Sequence, residues 1–125
     1  MKIEKFEDIQ AWQEARVLVG MVYEVIKSKE SFYKDYRFRD QITSAAVSIM
    51  ANISEGFSRR SNREFIQFLF IAKASAAEVQ SHLYVALDQE YMTKEAFNKI
   101  YEQSDKVARL ISNFITYLLQ RNKHN

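Results

Sequence analysis

Ser48-Ile-Met-Ala-Asn-Ile-Ser-Glu-Gly56 carries two rows at helical spacing. Ser48, Asn52 and Glu55 fall four and three residues apart, which places them on one side of a helix. Ile42, Ala46, Ile49, Ile53 and Phe57 run beside them as an apolar row of the same period. A polar stripe next to a core stripe implies a built hydrogen-bond network or an interface. The helix that carries both is read over residues 36–59, with Gly56 near its end as a natural terminator.

Outward from this helix, the same period recurs three more times. Ser61-Asn-Arg-Glu64 reads as a capping box, Ser61 as N-cap and Glu64 reaching back. It opens a helix over 61–90 whose core row is Phe65, Leu69, Ala72, Ala76, Val79, Leu83 and Ala86. Thr93 is the expected N-cap of a helix over 93–120, with Phe97, Ile100, Ser104, Val107, Ile111, Phe114 and Leu118 in a three-four repeat. Upstream, a helix over 8–29 takes Asp8 as N-cap and Trp12, Ala15, Val19, Val22 and Ile26 as its row, widened by Leu18 and Val25. Gly20 inside it is either a small propensity cost or the site of a close helix crossing. The connection around 30–35 shows no period, and the tail 121–125 is expected to fray. Short loops between long helices make neighbours antiparallel, so the expected fold is an all-α, up-down-up-down four-helix bundle in one domain, 1–125.

Composition agrees. The 125 residues are 47% hydrophobic and 14% aromatic, enough for a core. There is no proline and there are only two glycines, so the punctuation that tight β-turns need is nearly absent. The lack of cysteine excludes disulfides and thiolate sites and fits a reducing compartment. No apolar h-region opens the chain and no run approaches the roughly 18 residues of a membrane span. The expectation is a soluble cytoplasmic protein with no membrane partner. The net charge is +2, but it is uneven: residues 31–63 and 93–125 are each +3, residues 1–30 are −1 and residues 64–92 are −3.

Residues that could carry chemistry are sparse. Glu78 and His82 lie four apart on one helix, without the second Glu/His pair that a di-iron bundle needs. Glu55 and Glu78 could approach across two helices, yet no nucleophile, base and orienting group accompany them. No phosphate-binding glycine loop is present. The expectation is therefore no enzyme, no metal and no cofactor. The polar row of Gln41, Ser48, Asn52, Glu55 and Arg59 is expected to face Ser75, Glu78 and His82, with Ser48, Asn52, Glu55, Ser75 and Glu78 as a structural network fixing the hairpin. Phe57-Ser-Arg-Arg-Ser-Asn-Arg63 is the candidate nucleic-acid contact: Arg59, Arg60 and Arg63 beside hydroxyls and an aromatic near a helix start. Apolar residues also overflow the core rows. Phe65, Phe68, Leu69, Phe70 and Ile71 point nearly all round their helix, and Tyr101, Ile115, Tyr117 and Leu119 fall outside the last repeat. This excess favours self-association. The alternative is an interaction scaffold whose partner is another protein.

Three motifs, in order, resemble those of a known family. They are Phe6-Glu-Asp-Ile-Gln-Ala-Trp-Gln-Glu-Ala15, then Gln41-Ile42 leading into Ala45-Ala-Val-Ser-Ile49 and Asn52-Ile-Ser-Glu-Gly56, then Phe68-Leu-Phe-Ile-Ala72 followed by Ser75 and Glu78. Together they are similar to the 23S rRNA intervening-sequence proteins, small bacterial four-helix bundles also described as a ribosomal protein. The resemblance spans nearly the whole chain. It implies a homopentameric ring, no enzymatic activity and no cofactor, and genes that can sit within ribosomal RNA insertions. The family is in turn similar to accessory bundle proteins of diversity-generating retroelements, which associate with reverse transcriptase and nucleic acid. This chain departs from the pattern at Thr43 and Ser44, where the family has two arginines, at Met50 (proline) and at Ala74 (glycine). The lost arginines weaken a nucleic-acid reading of that helix, and the lost proline leaves it straighter.

Overall fold

The protein, seen in a computed structural model, is described over residues 2–124, with side chains described to Arg121. Among the described residues it is all-helical. After a 3-10 turn at Phe6–Asp8 come α1 (Gln10–Ser28), α2 (Glu30–Lys34), α3 (Tyr36–Phe57), α4 (Asn62–Asp88) and α5 (Lys94–His124). The tail expected to fray is thus helical to His124, while the side chains of 122–125 lie outside the described residues. Each long helix packs on two others, α3 on α1 and α4, and α5 on α4 and α1. One core lies between them, centred on Leu18, Val22, Ile49, Leu69, Val79 and Ile111. No described helix is long and apolar enough to cross a membrane.

Several local expectations change. Asp8 does not cap α1. Its carboxylate accepts from the Glu4 and Lys5 N–H groups at 3.0 and 3.2 Å, closing the turn ahead of the helix. Ile9, buried, stands at the N-cap of α1 with no side-chain cap. The α1 core row is Ala11, Ala15, Leu18, Val22, Val25 and Ile26. Trp12 and Val19 sit half-buried at its edge, and Trp12 packs edge-on to Phe6 at 5.2 Å. The aperiodic stretch 30–35 hides α2, which exists to bury one side chain. Phe32 is fully buried and stacks on Tyr91 at 4.8 Å and on Phe38 at 5.8 Å. Five residues are too few to show a helical period.

The two glycines separate cleanly. Gly56 does not end α3; it is buried inside the last turn without a positive φ. A Cβ there would meet Phe68 Cβ at 2.7 Å and Phe65 Cδ1 at 2.8 Å, so its role is the close approach of α3 to α4. Gly20 has nothing within 4 Å of a notional Cβ, so no helix crosses closely there. Ser61 and Thr93 do cap their helices, accepting from Glu64 N–H at 3.2 Å and Ala96 N–H at 3.1 Å. The reciprocal bond from the Glu64 carboxylate is not formed. Beyond the end of α4 the chain turns off at Glu90, φ 59, with Tyr91 N–H reaching back to Ala86 C=O at 2.8 Å. This is a Schellman closure with glutamate where glycine is usual. In α5 the core row turns to Ile115, leaving Phe114 half-buried, because a three-four repeat drifts on a long helix. Ser104, fully buried within that row, donates to Ala76 C=O at 3.2 Å.

Candidate functional site

The connection from α3 to α4 spans only Ser58 to Ser61. Its geometry follows from paired helix ends. Ser58 Oγ donates to Glu55 C=O at 2.6 Å, and the Arg59 N–H donates to Gly56 C=O at 3.1 Å, satisfying carbonyls that the end of α3 would leave bare. The turn delivers two arginines to the same place by different routes. Arg59 folds back along α3, its Nη2 at 3.0 Å from Glu55 Oε1 and its guanidinium 4.7 Å from the Phe68 ring centre. Arg60 is exposed and lines a hollow of 380 Å³. No hydrogen bond or ion pair engages it among the described residues. Arg63, the second residue of α4, is exposed but outside the lining.

Segments distant in sequence supply the rest of the hollow. Lys2 and Ile3 come from the N-terminal segment, and Phe114, Tyr117, Leu118 and Arg121 come from α5. The floor is aromatic: Phe65 meets Phe57 edge-on at 6.0 Å and Phe114 at 5.3 Å. At the rim Arg121 donates to the Tyr117 hydroxyl at 3.2 Å and lies 5.6 Å from its ring centre. Among the described residues the lining thus holds Lys2, Arg59, Arg60 and Arg121 and no carboxylate. Glu55 is tied to Arg59, and Glu4 lies 3.9 Å from Lys2. Arg60 and Arg121, which no carboxylate pairs among the described residues, raise the local potential and attract anions. Aromatic rings beside arginine suit a planar ligand as well. The two net-positive stretches of sequence both contribute here. Lys2 and Ile3 carried no sequence signal, Tyr117 stood out only as an apolar residue outside the last repeat, and Arg121 only through the net charge of residues 93–125.

The polar row on α3 divides into three. Ser48 Oγ lies 3.0 Å from Ser75 Oγ across to α4, and Asn52 Nδ2 donates to Ser48 Oγ at 3.0 Å and to its C=O at 2.8 Å. Since Asn52 supplies a proton to Ser48 Oγ, the Ser48 proton is free for Ser75. Glu55 and Glu78 do not join them. Glu55 binds Arg59 in the turn that follows α3, and Glu78 Oε2 lies 3.3 Å from His82 Nε2 within α4; both carboxylates face solvent. His82 packs edge-on against Phe38 at 5.7 Å. Gln41 is exposed. The three-residue cluster spans α3 and α4 at mid-length, where its one geometric requirement fixes their relative register.

Comparison with known proteins converges on one group. A family model described as 23S rRNA-intervening sequence protein matches residues 7–113. A crystal structure of a protein with unknown function from the S23 ribosomal protein family of Bacteroides thetaiotaomicron is similar, with a TM-score of 0.77 and 26% identity. That likeness covers 84% of this chain and 97% of that chain. No curated protein matches. Arg59, Arg60 and Arg63 fall within the family match, whereas Lys2 and the α5 wall from Phe114 to Arg121 fall outside it.

Proposed function

Because the chain belongs to the 23S rRNA-intervening sequence protein family, we propose that it is a non-enzymatic, cofactor-free bundle protein of the cytoplasm that binds RNA or DNA through Arg59, Arg60 and Arg63 as a homopentameric ring. The observation that carries this reading is the convergence of four cations, Arg60 and Arg121 without an ion pair, on one hollow whose lining among the described residues has no carboxylate. Phosphate contacts of this kind position nucleic acid without reading its sequence. In a ring each copy repeats the hollow, and modest local charge becomes a continuous positive potential.

An up-down-up-down course is supported by residue pairs that run in opposite order. Phe38 meets His82, Ser48 meets Ser75 and Phe57 meets Phe65 between α3 and α4. Tyr84 meets Phe97, Ala76 meets Ser104 and Phe65 meets Phe114 between α4 and α5. Self-association is supported by the outward side of α4, where Phe70, Ala74, Ala77, Ser81 and Val85 form an exposed row with Ile71 beside it. Phe70 and Ile71 keep 53% and 50% of their surface open, more than scattered surface residues require. The same row favours the second reading, a scaffold whose partner is another protein.

Binding of RNA and DNA oligonucleotides as a function of salt tests the proposal. Affinity should fall steeply with salt, and replacing Arg59, Arg60 and Arg63 together by Ala should flatten the slope, by about 1 for each phosphate no longer neutralised. No binding at low salt, where phosphate contacts are strongest, refutes the nucleic-acid reading. A monomeric mass in solution refutes the ring and leaves the α4 face to a different protein.

A further inference from the structure

Resting on the nucleic-acid reading, the shape of the hollow says more about the ligand than its charge does. Its volume of 380 Å³ is that of a small-molecule site, in the range of about 300–1,000 Å³. Its floor is apolar and aromatic, built from Phe57, Phe65 and Phe114, and its cations stand at the edge. A duplex presents a convex row of phosphates with its base faces stacked away, so it could touch only the edge. An unpaired nucleotide presents a flat base for the rings and phosphates for the rim.

We infer that the hollow takes one unpaired nucleotide of single-stranded nucleic acid, its base against Tyr117 and Phe57 and its flanking phosphates on Arg60, Arg121 and Lys2. This distributes the work differently from the turn alone. Arg60 has no partner among the described residues and is the principal phosphate contact. Arg59 is held by Glu55 and Phe68 and shapes the wall. Arg63 lies outside the lining and contributes little. Tyr117 is half exposed with Arg121 already beside its ring, a stacking platform ready at the rim. The specific ligand chemistry resides partly in the N-terminal segment and the end of α5, beyond the span of the family match.

The test uses the full chain and short labelled single strands of RNA and of DNA, each also annealed to its complement. The two chemistries share phosphate and base, and the paired arms show which sugar is preferred. Either single strand should bind at least about tenfold more tightly than its duplex, and Tyr117→Ala should cost about tenfold while Tyr117→Phe binds as the parent does. Arg60→Ala and Arg121→Ala should each weaken binding more than Arg63→Ala. Tyr117, Arg60 and Arg121 are exposed, so these variants should keep the parental helical content. Equal binding of duplex and single strand, a silent Tyr117→Ala, and Arg63→Ala as costly as Arg60→Ala would overturn the inference while leaving nucleic-acid binding in place. No binding of any strand at low salt would overturn both.

Discussion

Around Phe32 and around Phe65, aromatic rings from separate segments meet in the same way, but only one cluster is closed. Phe32 is fully buried between Phe38 and Tyr91, and the polar atoms at that cluster's edge satisfy each other. The Tyr91 hydroxyl donates to Asp35 Oδ2 at 2.6 Å, and the other oxygen of Asp35 accepts from Phe38 N–H at 3.3 Å to cap α3. That hydrogen bond, with burial, raises the Tyr91 pKa above the ordinary 10.0. Around Phe65 the rings are equally crowded, yet Arg60 has no partner among the described residues and the lining of the hollow holds four cations. Aromatic content therefore does not separate core from site here. Whether the neighbouring polar groups are matched does.

Breaking the closed cluster should have the largest effect. Phe32→Ala is expected to cost about 3–5 kcal/mol in urea unfolding, because the ring is enclosed on every side. The salt dependence of binding by the folded fraction should stay unchanged, since Phe32 lies outside the hollow. A loss below about 1 kcal/mol would show that α2 is dispensable to the core.

A smaller effect is expected from forcing apart α3 and α4 beside the open cluster. Gly56→Ala sets a Cβ 2.7 Å from Phe68 Cβ, a rigid contact, and should cost about 1–3 kcal/mol while weakening binding by shifting the arginine turn. Gly20→Ala is the control. It enters open space on an exposed helical face and should gain about 1 kcal/mol with binding unaltered. If both substitutions stabilise the protein equally, the close approach at Gly56 is not needed.

The mildest probe lies away from both clusters. Gln103 Nε2 donates to Glu14 Oε1 at 3.0 Å, and Lys106 lies 3.2 Å from the same oxygen. Gln103, and then Lys106, lower the Glu14 pKa below the ordinary 4.5. A carboxylate with a depressed folded pKa stabilises above its unfolded value, and that contribution disappears as pH falls through the folded one. Stability should therefore decline on acidification below about pH 4.5, more in the parent than in Glu14→Gln. Parallel pH profiles for the two proteins would refute the assignment.

How far the sequence could be read depends on the range of the interaction. Long rows such as Phe65, Leu69, Ala72, Ala76, Val79 and Leu83 repeat often enough to identify a helix and its buried side, and the structure buries all of them. The caps at Ser61 and Thr93 were equally plain, because a cap joins residues only three apart. Asp8 failed by the same logic: a capping residue can serve a turn before it as well as a helix after it. The helix α2 was invisible since one buried ring has no period. Glu90 was overlooked because glutamate in a left-handed closure carries no glycine signal. Of the candidate site, the Arg59–Arg60 turn was legible as a local charge cluster, while nothing local joined Lys2, Tyr117 and Arg121 to it.

The sequence by itself determined that this chain is helical, where its long helices run, which side of each is apolar and which family it resembles. Those are properties of spacing along the chain, and they survive without knowing what packs on what. Tertiary structure alone decided that Gly56 is a contact and Gly20 is not, that Ser48 reaches Ser75 while Glu55 and Glu78 stay on their own helices, and that Lys2, Arg60 and Arg121 share one hollow. Each of these depends on distances between residues tens of positions apart, which periodicity does not encode and packing does.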